Sequence, residues 1–361
     1  MTNVASALNN MVDTLIVMPK SNSTAFQELC EKYEVRYKAL PLTRITKELL
    51  PALKYPVFFL IEIYLLVKLC RRENIEIIHV SGGSWQYKGV IAGKLAGKKV
   101  IWHLNDTAMP KLFCKIFSMF SPLADGFIYA SDRSQNYYKP LVNSKKQDFV
   151  IPAPVDTKKF NPAQEHSGDE QLIQGWQGKF VIGTVANINP VKGLETLIHA
   201  AAFVNKKNIN VQFVVVGPVF SRQKRYYESL QKLCVKLGVN NIEFVGSRSD
   251  VRSLLKRFDI YVCSSNAESS PISVWESMSM AKPIVSTDVG DVPLYVKDGV
   301  NGFIINVGES EALADRIGRL IADEPLREQF GSQSRKVVIQ ELDLSRCAER
   351  HIEAYKAIFD K

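Results

Sequence analysis

Short runs of β-branched and aliphatic residues alternate with stretches whose apolar residues return every three or four positions, over almost the whole chain. In the first half the runs are DTLIVMP (13–19), VRYKALP (35–41), IEIIHVS (75–81), KKVIWHL (98–104), GFIYAS (126–131) and DFVIPAP (148–154). In the second half they are FVIGTVA (180–186), VQFVVVG (211–217), IEFVG (242–246), IYVCSS (260–265), PIVSTD (283–288) and GFIIN (302–306). Near-continuous apolar strands joined by helices predict an α/β protein with parallel sheets covered on both faces. The Pro-, Gly- and polar-rich stretch PAPVDTKKFNPAQEHSGDEQLIQGWQG separates the two sets. The reading is therefore two doubly wound domains, 1–154 and 155–342, followed by a long amphipathic helix in 343–361. Two such domains facing one another leave a cleft at the carboxyl ends of both sheets, where ligands bind in these folds.

Composition narrows the class. A chain of 361 residues with 46% hydrophobic and 23% charged residues fits a globular, soluble protein with room for two cores. The cysteines, at 30, 70, 114, 234, 263 and 347, are scattered without a C-x-x-C pair, which argues for reduced thiols in a cytoplasmic setting and against a zinc site. The opening MTNVASALNNMVDTLIV lacks the charged head and long apolar run of a signal peptide. Charge is unevenly divided: 20 Lys+Arg against 12 Asp+Glu up to residue 150 gives +8, and 26 against 25 thereafter gives +1. A basic first half suggests a polyanionic neighbour, although ordinary solubility charge explains it equally well. YPVFFLIEIYLLVKLCRR (55–72) is too short, and with Glu62 and Lys68 too charged, to cross a bilayer. It reads as a helix packed on a sheet or lying at a membrane interface, and KLFCKIFSMFSPL (111–123) poses the same choice.

Loops after strands are where chemistry is expected. After FVIGTVA comes NINPVKG, which puts Lys192 at or beside a helix N-terminus and its free amides, a phosphate-binding arrangement. A solvated turn lysine is the plainer reading of that feature alone. After IYVCSS comes NAESSPISVWESMSM, with Glu268 on the loop and Glu276 about one and a half turns into the next helix. Ser269 or Ser270 suits the helix cap and Pro271 its first turn. The two carboxylates share no helix face, so they read as two grips on an extended ligand, not as an acid and base pair.

ESSPISVWESMSMAKPIVSTDVGDVPLYVKDGVNGFII resembles the E-x7-E signature and continuation of GT4-type retaining glycosyltransferases of GT-B fold. VIPAPVDTKKFNP, GTVANINPVKGLETLIHAA and FVGSRSDVRSLLKRFDIYVCSS resemble the family's interdomain segment, phosphate loop and base-side loop, in family order. The resemblance covers residues 150 to 361 and, more loosely, the half before them. It implies transfer of a sugar from a UDP- or GDP-linked donor to an acceptor glycan or lipid-linked saccharide, with retained anomeric configuration and no essential metal or other cofactor. The first domain would face the acceptor, the second would hold the donor, and the last helix would cross back to the first. Glu276 would bind the ribose, Glu268 the sugar hydroxyls, and the backbone of Ser269, Ser270, Pro271 and Ile272 the sugar and diphosphate. Lys192 would neutralise the departing diphosphate, Arg248 would frame the base, and His103 would contact the donor sugar near the reacting carbon. Asp106 and the two glycines Gly82 and Gly83 would line the acceptor side, where glycine permits close approach.

Two features depart from the family pattern. Asn187 stands where an arginine usually begins the phosphate loop, which removes one cationic clamp. The chain opens at what reads as the end of the first helix, so the first strand and its glycine loop are missing and the first sheet is expected to be incomplete. The preferred reading is a cytoplasmic, membrane-peripheral enzyme of bacterial surface-polysaccharide synthesis (lipopolysaccharide, O-antigen or capsule). A non-catalytic partner subunit of the same fold and a nucleotide-sugar epimerase are the alternatives. Nucleic-acid binding ranks last, because no basic stripe or recognised module supports it.

Overall fold

The computed structural model describes residues 2–9, 11–43, 49–107, 109–142, 146–206 and 210–360. Two compact units emerge: Met1–Pro152 with Leu344–Lys361, and Ala153–Asp343. All twelve expected strands form: β1 Leu15–Pro19, β2 Arg36–Leu40, β3 Ile77–Ser81, β4 Lys99–Leu104, β5 Gly126–Tyr129 and β6 Gln147–Val150 in the first unit. The second unit holds β7 Phe180–Val185, β8 Val211–Val216, β9 Ile242–Gly246, β10 Ile260–Cys263, β11 Ile284–Thr287 and β12 Gly302–Ile305.

In the first unit β1 pairs in parallel with β2, while β3, β4, β5 and β6 form a separate parallel sheet in that order. Among the described residues no ladder joins β1 to β3. Alternation along each strand sorts the four-stranded sheet's two faces. Trp102, Leu104, Phe127 and Tyr129 pack with Phe117 and Tyr138 on one side. Ile101 and Ile128 pack on the other with Cys347, Ala348, Ala354 and Ile358 of the C-terminal helix Leu344–Phe359 and with Val4 and Leu8 of the helix Thr2–Leu8. That helix lies close to the strands because Gly126 lacks a side chain: a Cβ there would stand 2.3 Å from Ile358 Cδ1.

The helix Leu49–Arg72 carries one of its charges, Glu62, inside. Glu62 is buried and pairs with buried Lys88, whose ammonium also bonds Thr43 Oγ1 at 2.7 Å and lies 3.8 Å from the Tyr55 ring centre. Val57, Leu60, Ile61 and Tyr64 face solvent instead, at 57% exposure or more. Breaking a buried pair strands a charge in a poor dielectric, at about 3–5 kcal/mol. Glu62→Ala is expected to lower the urea midpoint accordingly, and Glu62→Ala/Lys88→Met to recover much of the loss.

The second unit is one parallel six-stranded sheet in the order β12-β11-β10-β7-β8-β9, with an apolar core on each face. Strand order reverses between β7 and β10, which lie side by side. This is the topological switch point, where helices depart to opposite faces and leave a crevice at the carboxyl ends of the strands. Phe258 fits beside β7 because residue 183 is glycine; a Cβ there would stand 2.1 Å from the ring.

Candidate functional site

The loops after β7 and β10 meet at that switch point. Asn189 caps the turn Pro190–Lys192 by accepting the Val191 amide at 3.0 Å, and Gly193 follows with φ +56°. The left-handed backbone brings the turn against the β10 loop: Ser264 Oγ donates to the Lys192 carbonyl at 3.1 Å, and Asn266 Nδ2 to that of Pro190 at 2.9 Å. A Cβ on Gly193 would stand 2.1 Å from the Ser264 carbonyl oxygen. Gly193→Ala therefore combines a backbone cost of about 1–2 kcal/mol with a clash that separates the two loops. Its expected signature is a lower melting temperature together with a disproportionate loss of nucleotide affinity, read by titration calorimetry.

Held this way, Lys192 Nζ lies 2.6 Å from Glu268 Oε1, and Ser265 Oγ donates to the same oxygen at 2.7 Å. Neither side chain of the pair is fully covered, with 25% of Lys192 and 14% of Glu268 exposed. A cation and a hydrogen-bonding carboxylate are thus fixed side by side and accessible.

The next helix is Ile272–Ser279, with Pro271 at its N-cap and not in its first turn, and with no side-chain cap bond. Ser270 Oγ is engaged elsewhere, accepting from the Ala153 amide at 2.9 Å and from Trp275 Nε1 at 3.2 Å. These bonds anchor the loop and the buried Trp275, so Ser270 positions the helix entrance. The first bond along the helix is from the Val274 amide to the Pro271 carbonyl at 3.0 Å. The amides of Ile272 and Ser273 precede it at the positive end of the helix. Gly290 brings a further loop against this entrance: its φ is +52°, and a Cβ would lie 2.2 Å from the Ser269 carbonyl oxygen. The Asp291 amide donates to that same oxygen at 2.9 Å.

Glu276 sits on this helix, partly buried. Burial and nearby Asp250 push its carboxyl up to about 7, while Lys159 opposes them. The loop after β9 carries Arg248, whose Nε is 2.6 Å from Asp169 Oδ1 and whose guanidinium also reaches the Ser247 carbonyl at 3.1 Å. Asn187 follows β7 beside Gly217, whose φ of +157° lets the two backbones approach; a Cβ there would be 2.9 Å from the Asn187 amide.

In the first unit Gly82 and Gly83 have φ of +118° and +83° and lie on the loop after β3. A Cβ on Gly83 would meet Asp106 Oδ2 at 2.7 Å and Asn105 Oδ1 at 3.2 Å. Trp102 Nε1 donates to the Gly83 carbonyl at 3.0 Å, and Asp106 accepts from Tyr138. Burial raises the Asp106 carboxyl above its ordinary range, against the lowering effect of that hydroxyl. His103 is placed differently: it lies within β4, only 8% exposed, with Nδ1 3.0 Å from His79 Nε2. By strand alternation it shares the face of Ile101, which the C-terminal helix covers. Sequence reasoning passed over Ser265, Asn266, Gly290 and Asp169; only the glycine in STDVGDVP gave a signal, as a site of close backbone approach.

A family model described as glycosyl transferases group 1 matches residues 170–337. The putative glycosyltransferase EpsD of Bacillus subtilis is 29% identical over 211 residues, 57% of this chain and 53% of its own length. The match thus spans about half the length of that relative. An Escherichia coli UDP-Gal:alpha-D-GlcNAc-diphosphoundecaprenol alpha-1,3-galactosyltransferase is 24% identical over 288 residues, 76% of this chain and 73% of its own. Among solved structures, Anabaena HepE in complex with UDP superposes with a TM-score of 0.82 at 22% identity, covering 99% of this chain and 94% of that one. A glycosyltransferase from Rickettsia africae gives 0.84 at 20% identity, covering 99% and 93%. Residues 170–337 thus resemble the group 1 glycosyl transferases, and the two Rossmann-like units have the GT-B fold.

Proposed function

We propose that the protein transfers a sugar from a nucleotide-sugar donor to an acceptor hydroxyl, with retention of configuration, in the assembly of a bacterial surface polysaccharide. The observation that carries this reading is the arrangement of Lys192, Glu268, the Ile272 and Ser273 amides and Glu276 around one strand-order switch point. Glu276 takes the ribose hydroxyls, and the helix entrance at Ser269, Ser270, Pro271 and Ile272 takes the diphosphate. Lys192 meets the negative charge that builds on the leaving diphosphate, an interaction strongest in the transition state. Glu268 holds the sugar hydroxyls and, through its ion pair, aims the lysine. Asn187 and Arg248 border the phosphate and base positions. On the acceptor unit, Gly82, Gly83 and Asp106 shape the strand-end loops, and Asn105 stands with them. His103, turned to the helix-covered face, is left out of the donor contact.

The curated relatives support the polysaccharide setting: beyond the galactosyltransferase above, a Rhizobium meliloti relative is named for lipopolysaccharide core biosynthesis and a Staphylococcus aureus relative for capsular polysaccharide biosynthesis. UDP as the nucleotide is supported by the name of the Escherichia coli relative. Among the described residues no helix is long and apolar enough to cross a membrane. Two exposed stripes support peripheral contact with an anionic leaflet. Val57, Ile61, Tyr64 and Lys68 follow one face of the helix Leu49–Arg72, and Lys111, Leu112, Lys115 and Met119 one face of Lys111–Phe120. Flotation with anionic liposomes tests this, and failure to bind at any salt concentration removes it.

A second reading, a non-catalytic partner subunit, is favoured by the two separate sheets of the first unit and by Asn187. Incubation with a panel of nucleotide-sugars and lipid-diphosphate saccharides, with NMR of the product's anomeric centre, separates the two. Transfer with retention, lost in Glu276→Ala, is expected. Inactivity across the panel favours the partner subunit, and isomerised donor without transfer indicates an epimerase.

A further inference from the structure

Three histidines from distant parts of the sequence meet inside the first unit: His79 on β3, His103 on β4 and His351 on the C-terminal helix. The parallel register sets His79 against Ile101 and His103 against Ser81, so both rings rise from the same face of the sheet, beneath the helix. His79 Nε2 and His103 Nδ1 are 3.0 Å apart, and the His351 ring centre lies 5.6 Å and 6.1 Å from theirs. One nitrogen from each residue lies within 4.8 Å of the other two.

The outer bonds fix which nitrogens are available. His351 Nδ1 donates to the Cys347 carbonyl at 2.8 Å, which leaves a lone pair on Nε2. That Nε2 is fully buried without a hydrogen-bond partner. His79 Nδ1 is 2.8 Å from the Tyr355 hydroxyl, leaving its Nε2 to the interior of the cluster. His351 Nε2 is thus a buried acceptor without a donor, at a cost of about 1–3 kcal/mol, while His79 Nε2 and His103 Nδ1 share one proton. Once His103 takes its Nε2–H tautomer, a cation satisfies all three nitrogens at once.

We propose that His79 Nε2, His103 Nδ1 and His351 Nε2 bind a divalent first-row cation of the zinc class, which clamps the C-terminal helix to the sheet. Metal–nitrogen bonds of about 2.0–2.1 Å in a tetrahedron hold nitrogens about 3.4 Å apart. The His79–His103 pair is already near that separation, and His351 needs a shift of about an ångström. The Cys347 carbonyl and Tyr355 hydroxyl supply the outer bonds that orient metal-bound imidazoles. Burial favours the neutral rings that ligation requires. Water would complete the coordination. The site lies wholly within the first unit, and its effect is on stability.

The test uses the full chain without an affinity tag, incubated with zinc and desalted, with bound metal measured by plasma mass spectrometry. About one zinc per chain and a melting temperature raised by about 5 °C are expected. His79→Gln and His351→Gln, each confirmed folded by circular dichroism, should retain at least tenfold less metal, whereas His199→Gln retains it. Cobalt loading of the wild type should give the visible bands of a four-coordinate ion, a readout that needs no variant. Substoichiometric zinc with no thermal shift, six-coordinate cobalt, or undiminished retention by both cluster variants overturns the site.

Discussion

Lys192→Met should lower turnover of a nucleotide-sugar by about 10²–10³-fold, with a much smaller change in KM for the donor. Lys192 and Glu268 are joined by a 2.6 Å bond, and both remain partly exposed. The donor diphosphate gains negative charge as the glycosidic bond breaks, so a fixed cation contributes more to the transition state than to the ground state. Asn187 brings no charge to the start of the same loop, which concentrates the electrostatic burden on this lysine. Glu268→Gln removes the lysine's partner and should cost turnover as well. Because the pair acts as a unit, the double variant should be far less impaired than the product of the single effects. Steady-state kinetics on the four proteins measures this coupling. Additive losses would show that the two side chains work independently.

Glu276→Gln should raise stability while it weakens nucleotide binding. Its carboxyl titrates near 7 in the folded chain, against an ordinary 4.5. Below the unfolded value both states are protonated and nothing is lost. As pH rises from about 4.5 to 7 the unfolded state ionises first, so stability falls, and above 7 the full penalty of roughly 3 kcal/mol persists. The glutamine variant avoids it, and its urea midpoint should exceed the wild type's at pH 8 but match it at pH 4. Ligand binding runs in the opposite direction. Ribose hydroxyls donate to the ionised carboxylate, so wild-type affinity for a nucleoside diphosphate should rise with pH through about 7. The variant should show a flat profile and an affinity lower by about 10²-fold, the value of a pair of charge-assisted hydrogen bonds. A stability cost retained at a ligand-binding carboxylate is the exchange expected of functional sites.

Much of this site was legible because its determinants are local. Strand patterning located the twelve strands of the described residues, and the strand ends located the loops that carry Lys192 and Glu268 and the helix that carries Glu276. What sequence spacing could not show was pairing across distance. The Lys192–Glu268 bond joins residues 76 positions apart, and it follows from β7 lying beside β10. Pro271 reads from local rules as a first-turn residue, but Ser270 is drawn away to bond Ala153 and Trp275, and the helix begins one residue later. Glu62 argued correctly against a membrane span, yet its buried partner Lys88 stands on another helix, and the resulting outward apolar stripe was hidden. The histidine cluster is the extreme case. His79 and Tyr355 are 276 positions apart, so residue spacing could not bring the cluster together. His103 does stand at the end of β4, as its neighbours in sequence suggest, but strand parity turns it to the helix-covered face.

The most direct test of the donor-site assignment is a crystal structure of the chain with a bound nucleoside diphosphate, UDP first. Expected are ribose hydroxyls on the Glu276 carboxylate, phosphate oxygens within hydrogen-bond reach of the Ile272 or Ser273 amide, and Lys192 Nζ turned toward the diphosphate. A nucleotide seated away from the β7–β10 switch point, or with its ribose remote from Glu276, would contradict it.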